Sequence, residues 1–341
     1  MNNSKIIIHL IPHEGIGGVE RAASTMNIFS KNGVDFCVNT IFPNNVNKKW
    51  WVLWNPFFYI VTIFKILKSN PKILIVSLWK SCIVGLFIKL INPKTKLILF
   101  LHLPRYIHFI DKYLTIITAF FSNQTWADSQ ETLNNRLPKG LKSKIKIISF
   151  VCEDNLLKIE NKKVSPTFIF WGRIHKQKKL SNALYFFSEI YNANKDAKFI
   201  IIGPDCGDLN SIQNLVLNLK LSSAVHFKGP LNFDNIKILA DNASFYLQTS
   251  EIEGMALSVV EAMQLGLVPI VTPVGEIKNY CINGFNAIII NNNKNAIDNV
   301  RLLLSNVEDY NKFRYNAISS WNNKISYKDD VFNKCLELLN K

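Results

Sequence analysis

Thr249-Ser250-Glu251-Ile252-Glu253-Gly254-Met255-Ala256-Leu257-Ser258-Val259-Val260-Glu261-Ala262-Met263 follows a short apolar run at 245–247. The stretch opens polar, passes a glycine and turns into apolar residues at helical spacing. It therefore predicts strand, loop and helix in immediate succession. The first N–H groups of such a helix, with its dipole, favour an anion. Glu253 and Glu261 stand on either side of that point with seven residues between them. Carboxylates are acceptor-only partners suited to sugar hydroxyls, so one reading is a phospho-sugar site with a carboxylate at each end. The other is local: Ser258-x-x-Glu261 has the spacing of a capping box.

Outward from this stretch the same unit repeats. Apolar runs at 168–171, 199–202, 225–227 and 268–271 each end in a small or polar turn: Gly172-Arg173, Gly203-Pro204, Gly229-Pro230 and Thr272-Pro273. Leu180, Ala183, Leu184, Phe187 and Tyr191 line one face of a helix between two of these runs. In open α/β sheets the strands' carboxyl ends are where ligands bind. Arg173 and Lys178 lie at one such end; they can clamp a diphosphate, or belong to a solvated basic loop. Upstream of the polar stretch 158–166 the pattern also holds. Strands are expected at 5–11, 36–41, 73–78, 97–101, 125–127 and 145–150. The turn Gly15-Ile16-Gly17-Gly18 leads into a helix through Phe29, which Gly33 would cap. The fold class expected is α/β, two doubly wound domains at 1–160 and 161–322. A terminal helix at 323–341 should pack back on the first.

Composition agrees. At 341 residues and 48% hydrophobic, the chain supports two cores and is neither disordered nor collagen-like. Apolar stretches at 52–67 and 73–91 are broken by Asn55, Pro56, Lys65, Lys80 and Lys89, and neither reads as a membrane span. The run 6–11 is too short for a signal sequence, so a cytoplasmic protein is expected. Six scattered cysteines, with no C-x-x-C pair, no D-x-D triplet and no histidine cluster, point to neither disulfides nor a metal. Net charge is +15: residues 1–160 hold 20 basic and 9 acidic residues, and residues 161–341 hold 20 and 16. The first half should therefore meet something anionic. Segment 52–67, with Trp50, Trp51 and Trp54 and lysines 48, 49, 65, 68 and 72, reads as an interfacial anchor. The alternative is an ordinary amphipathic helix starting at Pro56.

Taken together, these motifs resemble family 4 of the retaining, nucleotide-sugar-dependent glycosyltransferases, the group 1 enzymes, over most of the chain. Gly17-Gly18-Val19-Glu20-Arg21 resembles the family's first-loop glycine motif, and Leu99-Phe100-Leu101-His102 the strand ending in its active-site histidine. Ala127-Asp128-Ser129, Trp171-Gly172-Arg173 with Lys178, Ile201-Ile202-Gly203, Phe227-Lys228-Gly229, Asn283-Gly284-Phe285-Asn286 and Ser320-Trp321 are similar to further family segments. Glu253 to Glu261 fits the E-x7-E element, the most specific motif.

The resemblance implies the GT-B fold, two facing Rossmann-like domains with a cleft between them. It implies that Arg173 and Lys178 neutralise the leaving diphosphate, helped by a close approach at Gly17 and Gly18. Glu261 would hold the ribose and Glu253 the transferred sugar. The amides of Gly254, Met255, Ala256 and Leu257 would bind sugar hydroxyls and phosphate, and Gly203 and Phe227 would flank the base. His102 would stand near the reacting centre. No metal or other cofactor is implied. The donor expected is a nucleotide-sugar, UDP-linked; the acceptor is a glycan or lipid-linked glycan of bacterial surface polysaccharide or lipopolysaccharide. An anionic inner membrane face is expected as partner, and nucleic acid is not. The sequence departs from the family pattern at Lys179 and Ala256, both usually Gly, and at Phe150-Val151-Cys152-Glu153, usually an Asn-Gly segment. Two other readings stand: a nucleotide-sugar epimerase of similar fold, and a non-catalytic basic protein binding membrane or RNA.

Overall fold

A computed structural model describes residues 4–15, 17–27, 29–43, 54–152 and 160–340. The chain divides into two compact units: Met1–Cys152 with Ile325–Lys341, and Glu153–Lys324.

The first unit holds β1 (Lys5–Ile11), β2 (Phe29–Lys31), β3 (Val34–Thr40), β4 (Ile73–Ser77), β5 (Lys96–Leu101), β6 (Gln124–Ala127) and β7 (Ile145–Ile147). Their order is β2-β3-β1-β4-β5-β6-β7, parallel except for the β2–β3 pair. Every residue of β4 and β6 is buried, as expected of a sheet covered on both faces. Ile8 and Leu10, Leu74 and Val76, Leu97 and Leu99 alternate onto one face. There they form one core with Tyr59 and Ile66 of the helix Pro56–Ser69, Cys82, Val84 and Ile88 of Leu78–Ile91, and Ala119 of Phe109–Phe121.

Residues 18–33 differ from the sequence reading. The first helix is Gly18–Ser24, and Phe29 belongs to strand β2. Asn32 and Gly33, with φ of 54° and 70°, turn the chain back along β3. Two left-handed residues in a two-residue loop are the Asn-Gly hairpin signal, so Gly33 closes a hairpin and caps no helix. The terminal helix Tyr327–Leu339 lies in this unit. The Tyr327 N–H donates to Val151 O at 2.8 Å, the Ser149 N–H donates to Asp330 at 2.7 Å, and Phe332 meets Phe29 edge-on at 5.4 Å. Of the anchor expected at 52–67, residues 52–53 lie outside the described residues, as do Lys48, Lys49, Trp50 and Trp51. From Pro56 the chain is a helix whose N-cap, Asn55, accepts from the Phe57 N–H at 3.0 Å. Its inner face is in the core and its outer face exposed.

The second unit contains β8 (Thr167–Trp171), β9 (Lys198–Ile202), β10 (Val225–Gly229), β11 (Phe245–Gln248), β12 (Val268–Val271) and β13 (Ile288–Ile289). The order β10-β9-β8-β11-β12-β13 is parallel throughout, the Rossmann arrangement. Its switch point lies between β9 and β11, on either side of β8, whose carboxyl end is the Gly172-Arg173 turn.

Candidate functional site

In the second unit, backbones meet closely where the strands end. Gly172 and Gly203 have φ of 150° and 148°, and a Cβ on Gly203 would lie 1.8 Å from Gly172 O. Only glycine permits that approach. It lets the Gly172 N–H donate to Ile202 O (3.0 Å), the Gly203 N–H to Gly229 O (2.9 Å) and the Ile174 N–H to Pro204 O (2.9 Å). Three strand ends are thereby fixed side by side, with Arg173 exposed beside them and without an acidic partner among the described residues. Phe227, on β10, is half-buried.

The loop after β11 is held from both sides. Thr249 Oγ1 donates to Lys179 O (2.7 Å), the Glu251 N–H to Gln177 O (2.9 Å), and Gln177 Nε2 to Ile252 O (2.7 Å). These bonds place Lys178 Nζ 2.6 Å from Glu253 Oε1, with side chains only 12% and 10% exposed. Gln248 Nε2 gives the same oxygen a longer bond of 3.3 Å. On the other side, Gly275, at φ 59°, packs where a Cβ would lie 2.1 Å from Glu253 O, and the Glu276 N–H donates to Gly254 O. Gly275 was not singled out from the sequence. Its signal, a lone glycine after the Thr272-Pro273 strand end, says nothing of what it packs against.

The helix Leu257–Gln264 begins at Ala256, which is left-handed at φ 56°. The first bonds back to Ala256 O come from the N–H groups of Val259 and Val260. Those of Leu257 and Ser258 precede them, at the positive end of the dipole. No capping box forms: Ser258 Oγ donates to Gln248 Oε1 at 3.0 Å, and Glu261 is buried, accepting from Trp171 Nε1 at 2.9 Å. The structural reading of the Ser258–Glu261 spacing is thus excluded. A buried carboxylate bonded by an indole N–H is a fixed acceptor at the switch-point strand. Lys179 is left-handed too, at φ 47°, so the turn a glycine would make is made by lysine. Asn286 and Ser320-Trp321 prove to be fasteners. Asn286 bonds the Ile282 N–H, Tyr280 O and Ser320 Oγ, while Trp321 Nε1 donates to Met263 Sδ at 3.3 Å.

In the first unit, His102 follows β5 and is buried. Ser77 Oγ lies 2.8 Å from its Nε2 and 2.8 Å from Nε2 of His9. Burial lowers both imidazoles: His9 to about 3, and His102 well below its ordinary value, with the neighbouring His9 and Arg136 adding to the effect. Both rings are therefore neutral. One hydroxyl carries one proton and can donate to only one ring nitrogen, so at least one of the two imidazoles holds its proton on Nε2. Neither Nδ1 has a partner among the described residues. Ser77 occupies an N-cap position without capping; the next residue, Leu78, is strained at φ 67°. Sequence spacing does not show that three residues 68 and 25 positions apart will meet. Phe100 and Phe150 pack on the His102 ring at 4.2 and 5.8 Å. The loop beyond it is clamped by Arg136, whose Nη2 lies 2.7 Å from Asp111 Oδ1 and whose Nη1 donates to Arg105 O. Gly17 precedes the first helix and Gly18 begins it; a Cβ on Gly17 would lie 2.2 Å from Glu20 Oε2, so a carboxylate rests over that loop.

Residues 153–320 match the family model of the glycosyl transferases group 1. Among curated proteins, the alpha-monoglucosyldiacylglycerol synthase of Acholeplasma laidlawii is 26% identical over 172 residues, 50% of this chain and 42% of that protein. An uncharacterized glycosyltransferase of Methanocaldococcus jannaschii is 23% identical over 141 residues, 39% and 36% of the two chains. The matches thus span less than half the length of either curated relative. Among solved structures, Anabaena HepE in complex with UDP-glucose superposes with a TM-score of 0.79 at 15% identity, covering 98% of this chain and 100% of that one. Staphylococcus aureus TarM, in a complex containing UDP, superposes with 0.66 at 19%, covering 83% and 59%. These likenesses show the fold, two parallel-sheet units of the GT-B class. The stretch that matches the group 1 glycosyltransferase model, residues 153–320, contains both the Gly172–Lys178 turn and the Glu253–Glu261 segment.

Proposed function

We propose that this protein is a retaining glycosyltransferase that moves a hexosyl group from a nucleotide-diphosphate donor, UDP-linked, to a glycan or lipid-linked glycan acceptor. The observation that carries this reading is the cluster at the β8 switch point: exposed Arg173, the Lys178–Glu253 pair and the Trp171-held Glu261. In the reaction the bond between the sugar's anomeric carbon and the diphosphate breaks, the acceptor oxygen bonds that carbon, and the acceptor's proton is released. Charge develops on the departing diphosphate, which fixed cations and helix N–H groups stabilise without reorganising. Arg173 and Lys178 take that role, with the N–H groups of Gly254 to Leu257. Glu253, oriented by Lys178 and Gln248, accepts from sugar hydroxyls, and Glu261 from the ribose. Gly203 and Phe227 border the base. The first unit's Gly17, Gly18 and His102 are assigned to the donor by family resemblance, His102 as a neutral imidazole. The A. laidlawii relative's name supports a lipid-linked acceptor. The cellular role we assign is surface polysaccharide or lipopolysaccharide assembly on the inner face of the cell membrane, without a metal.

Thermal unfolding with UDP, GDP, ADP and CDP tests the donor assignment. A ligand at a hundredfold its dissociation constant stabilises by about 2.7 kcal/mol. A shift with UDP, lost in Glu261→Ala, is expected; a shift with none of the four would sink the reading. Turnover of the donor sugar with no acceptor present would favour an epimerase instead.

A further inference from the structure

We infer that the outer face of the three helices Pro56–Ser69, Leu78–Ile91 and Phe109–Phe121 is a docking surface for an anionic lipid bilayer. It rests on the peripheral-membrane reading above and extends the contact from one segment to a whole layer of the first unit. All three helices pack by their inner faces on the same side of the sheet, and Leu78–Ile91 touches both of the others. Their outer faces therefore form one continuous surface.

That surface is apolar where a soluble layer would be polar. Phe57, Ile60 and Phe64, at helical spacing, are 62%, 50% and 67% exposed on the first helix. Leu90 is 71% exposed on the second, with Phe87 and Ile91 on either side of its stripe. Phe109, Tyr113, Ile117 and Phe120 run the length of the third. Scattered exposed apolar residues need no explanation, but three adjacent stripes do. At the amino ends of the helices an aromatic row joins them. Trp54 lies 5.3 Å from Trp79, and Trp79 4.8 Å from His108. Indoles of this kind sit well at headgroup level.

Charge selects the occupant. Residues 36–127 contain eleven Lys and Arg and one acid, Asp111. Asp111 is buried against Arg136, so the face shows cations alone: Lys65 and Lys68 continue the first stripe, and Lys94 and Lys112 flank the other two. A second copy of this chain would bring lysines against lysines. An anionic headgroup layer matches them, while the aromatic rings enter the acyl boundary. No helix among the described residues is long and apolar enough to cross a membrane, so the contact is one of lying on the surface.

The test is flotation of the full chain with phosphatidylcholine vesicles, with and without phosphatidylglycerol, at low and high salt. Recovery on the anionic vesicles at low salt, reduced by salt, is expected. Each lysine near an anionic leaflet is worth about fivefold in binding, so Lys65→Glu with Lys68→Glu should weaken it by at least about 25-fold. Phe64→Ser with Phe120→Ser should weaken it about tenfold or more on either salt. Both pairs are exposed, and unchanged circular dichroism with an unchanged UDP shift shows that they fold. Tyr185→Ser with Leu217→Ser, exposed on the second unit, should bind like the parent. Equal recovery on neutral vesicles, undiminished recovery of either outer-face pair, or no recovery with dimerisation abolished by Phe64→Ser would overturn the inference. Vesicle binding without any nucleotide shift would leave it standing and sink the transferase reading.

Discussion

The two units carry related parallel sheets, with their first strands, β1 and β8, in central positions, yet they spend their polar residues differently. In the second, charged side chains stand at the strand ends: Lys178 pairs with Glu253 and Glu261 is held by Trp171. Its exposed apolar residues, such as Tyr185, Leu217, Ile238 and Leu302, are dispersed over separate helices. In the first, the strand ends carry a neutral His9–Ser77–His102 chain, and apolar side chains are gathered on one helical layer. One architecture thus supports an electrostatic site in one unit and a buried uncharged network with a greasy exterior in the other. The sheet supplies positions; the side chains at strand ends and on outer helix faces set the chemistry.

The contrast can be broken most forcefully at the buried Arg136–Asp111 pair of the first unit. Arg136→Met strands Asp111 in the core and should destabilise by about 3–5 kcal/mol, read as a lower urea midpoint; Arg136→Met with Asp111→Leu should recover most of it. If Arg136→Met is neutral, the first unit's polar core is not the fixed structure described. Next is Ser77→Ala, which removes the partner of two buried imidazole nitrogens and should cost about 2 kcal/mol.

The same network sets a pH dependence. The folded His9 value, about 3, lies below its ordinary 6.5, so the folded state binds fewer protons than the unfolded one. Its contribution is fully present above the ordinary value and is lost as pH falls from there towards about 3. A urea midpoint measured against pH should fall over that window, and His9→Gln should flatten the fall. A slope unchanged by His9→Gln would mean that other groups govern it.

In the second unit, Trp171→Phe frees Glu261 from its indole donor without removing the carboxylate. UDP should bind about tenfold more weakly, the value of a hydrogen bond to a charged group, by calorimetry. An unchanged constant would separate Glu261 from the ligand. The smallest effect is expected at the left-handed lysine. Lys179→Gly relieves strain at φ 47° but adds freedom to the unfolded chain, for a net gain of about 1 kcal/mol or less in thermal stability.

Much of this was legible in the residues. Strand β1 and strand β12 fall where the apolar runs stand, because a strand buried on both faces is a continuous β-branched run. The E-x7-E segment was legible as strand, loop and helix, since glycine and the switch of apolar period are local signals. Phe29 was misread because helical spacing over a few residues also fits a short strand; Asn32-Gly33 held the better signal. Two readings of Ser258-x-x-Glu261 could not be separated by spacing, as a capping box and a ligand carboxylate use the same residues.

By itself the sequence determined the α/β alternation, the basic first half and the residues that line the strand ends, because these follow from local period and from charge. Only the tertiary structure decided which of them meet. Lys178 reaches Glu253, 75 positions away, and Trp171 reaches Glu261 through loops whose backbones are fixed by Gly203 and Gly275. His9, Ser77 and His102 come together because the adjacent parallel strands β1, β4 and β5 place residues distant in the chain side by side towards their carboxyl ends. The apolar face exists only because three helices stand next to one another, and adjacency of helices is a property of strand order, which no local spacing encodes.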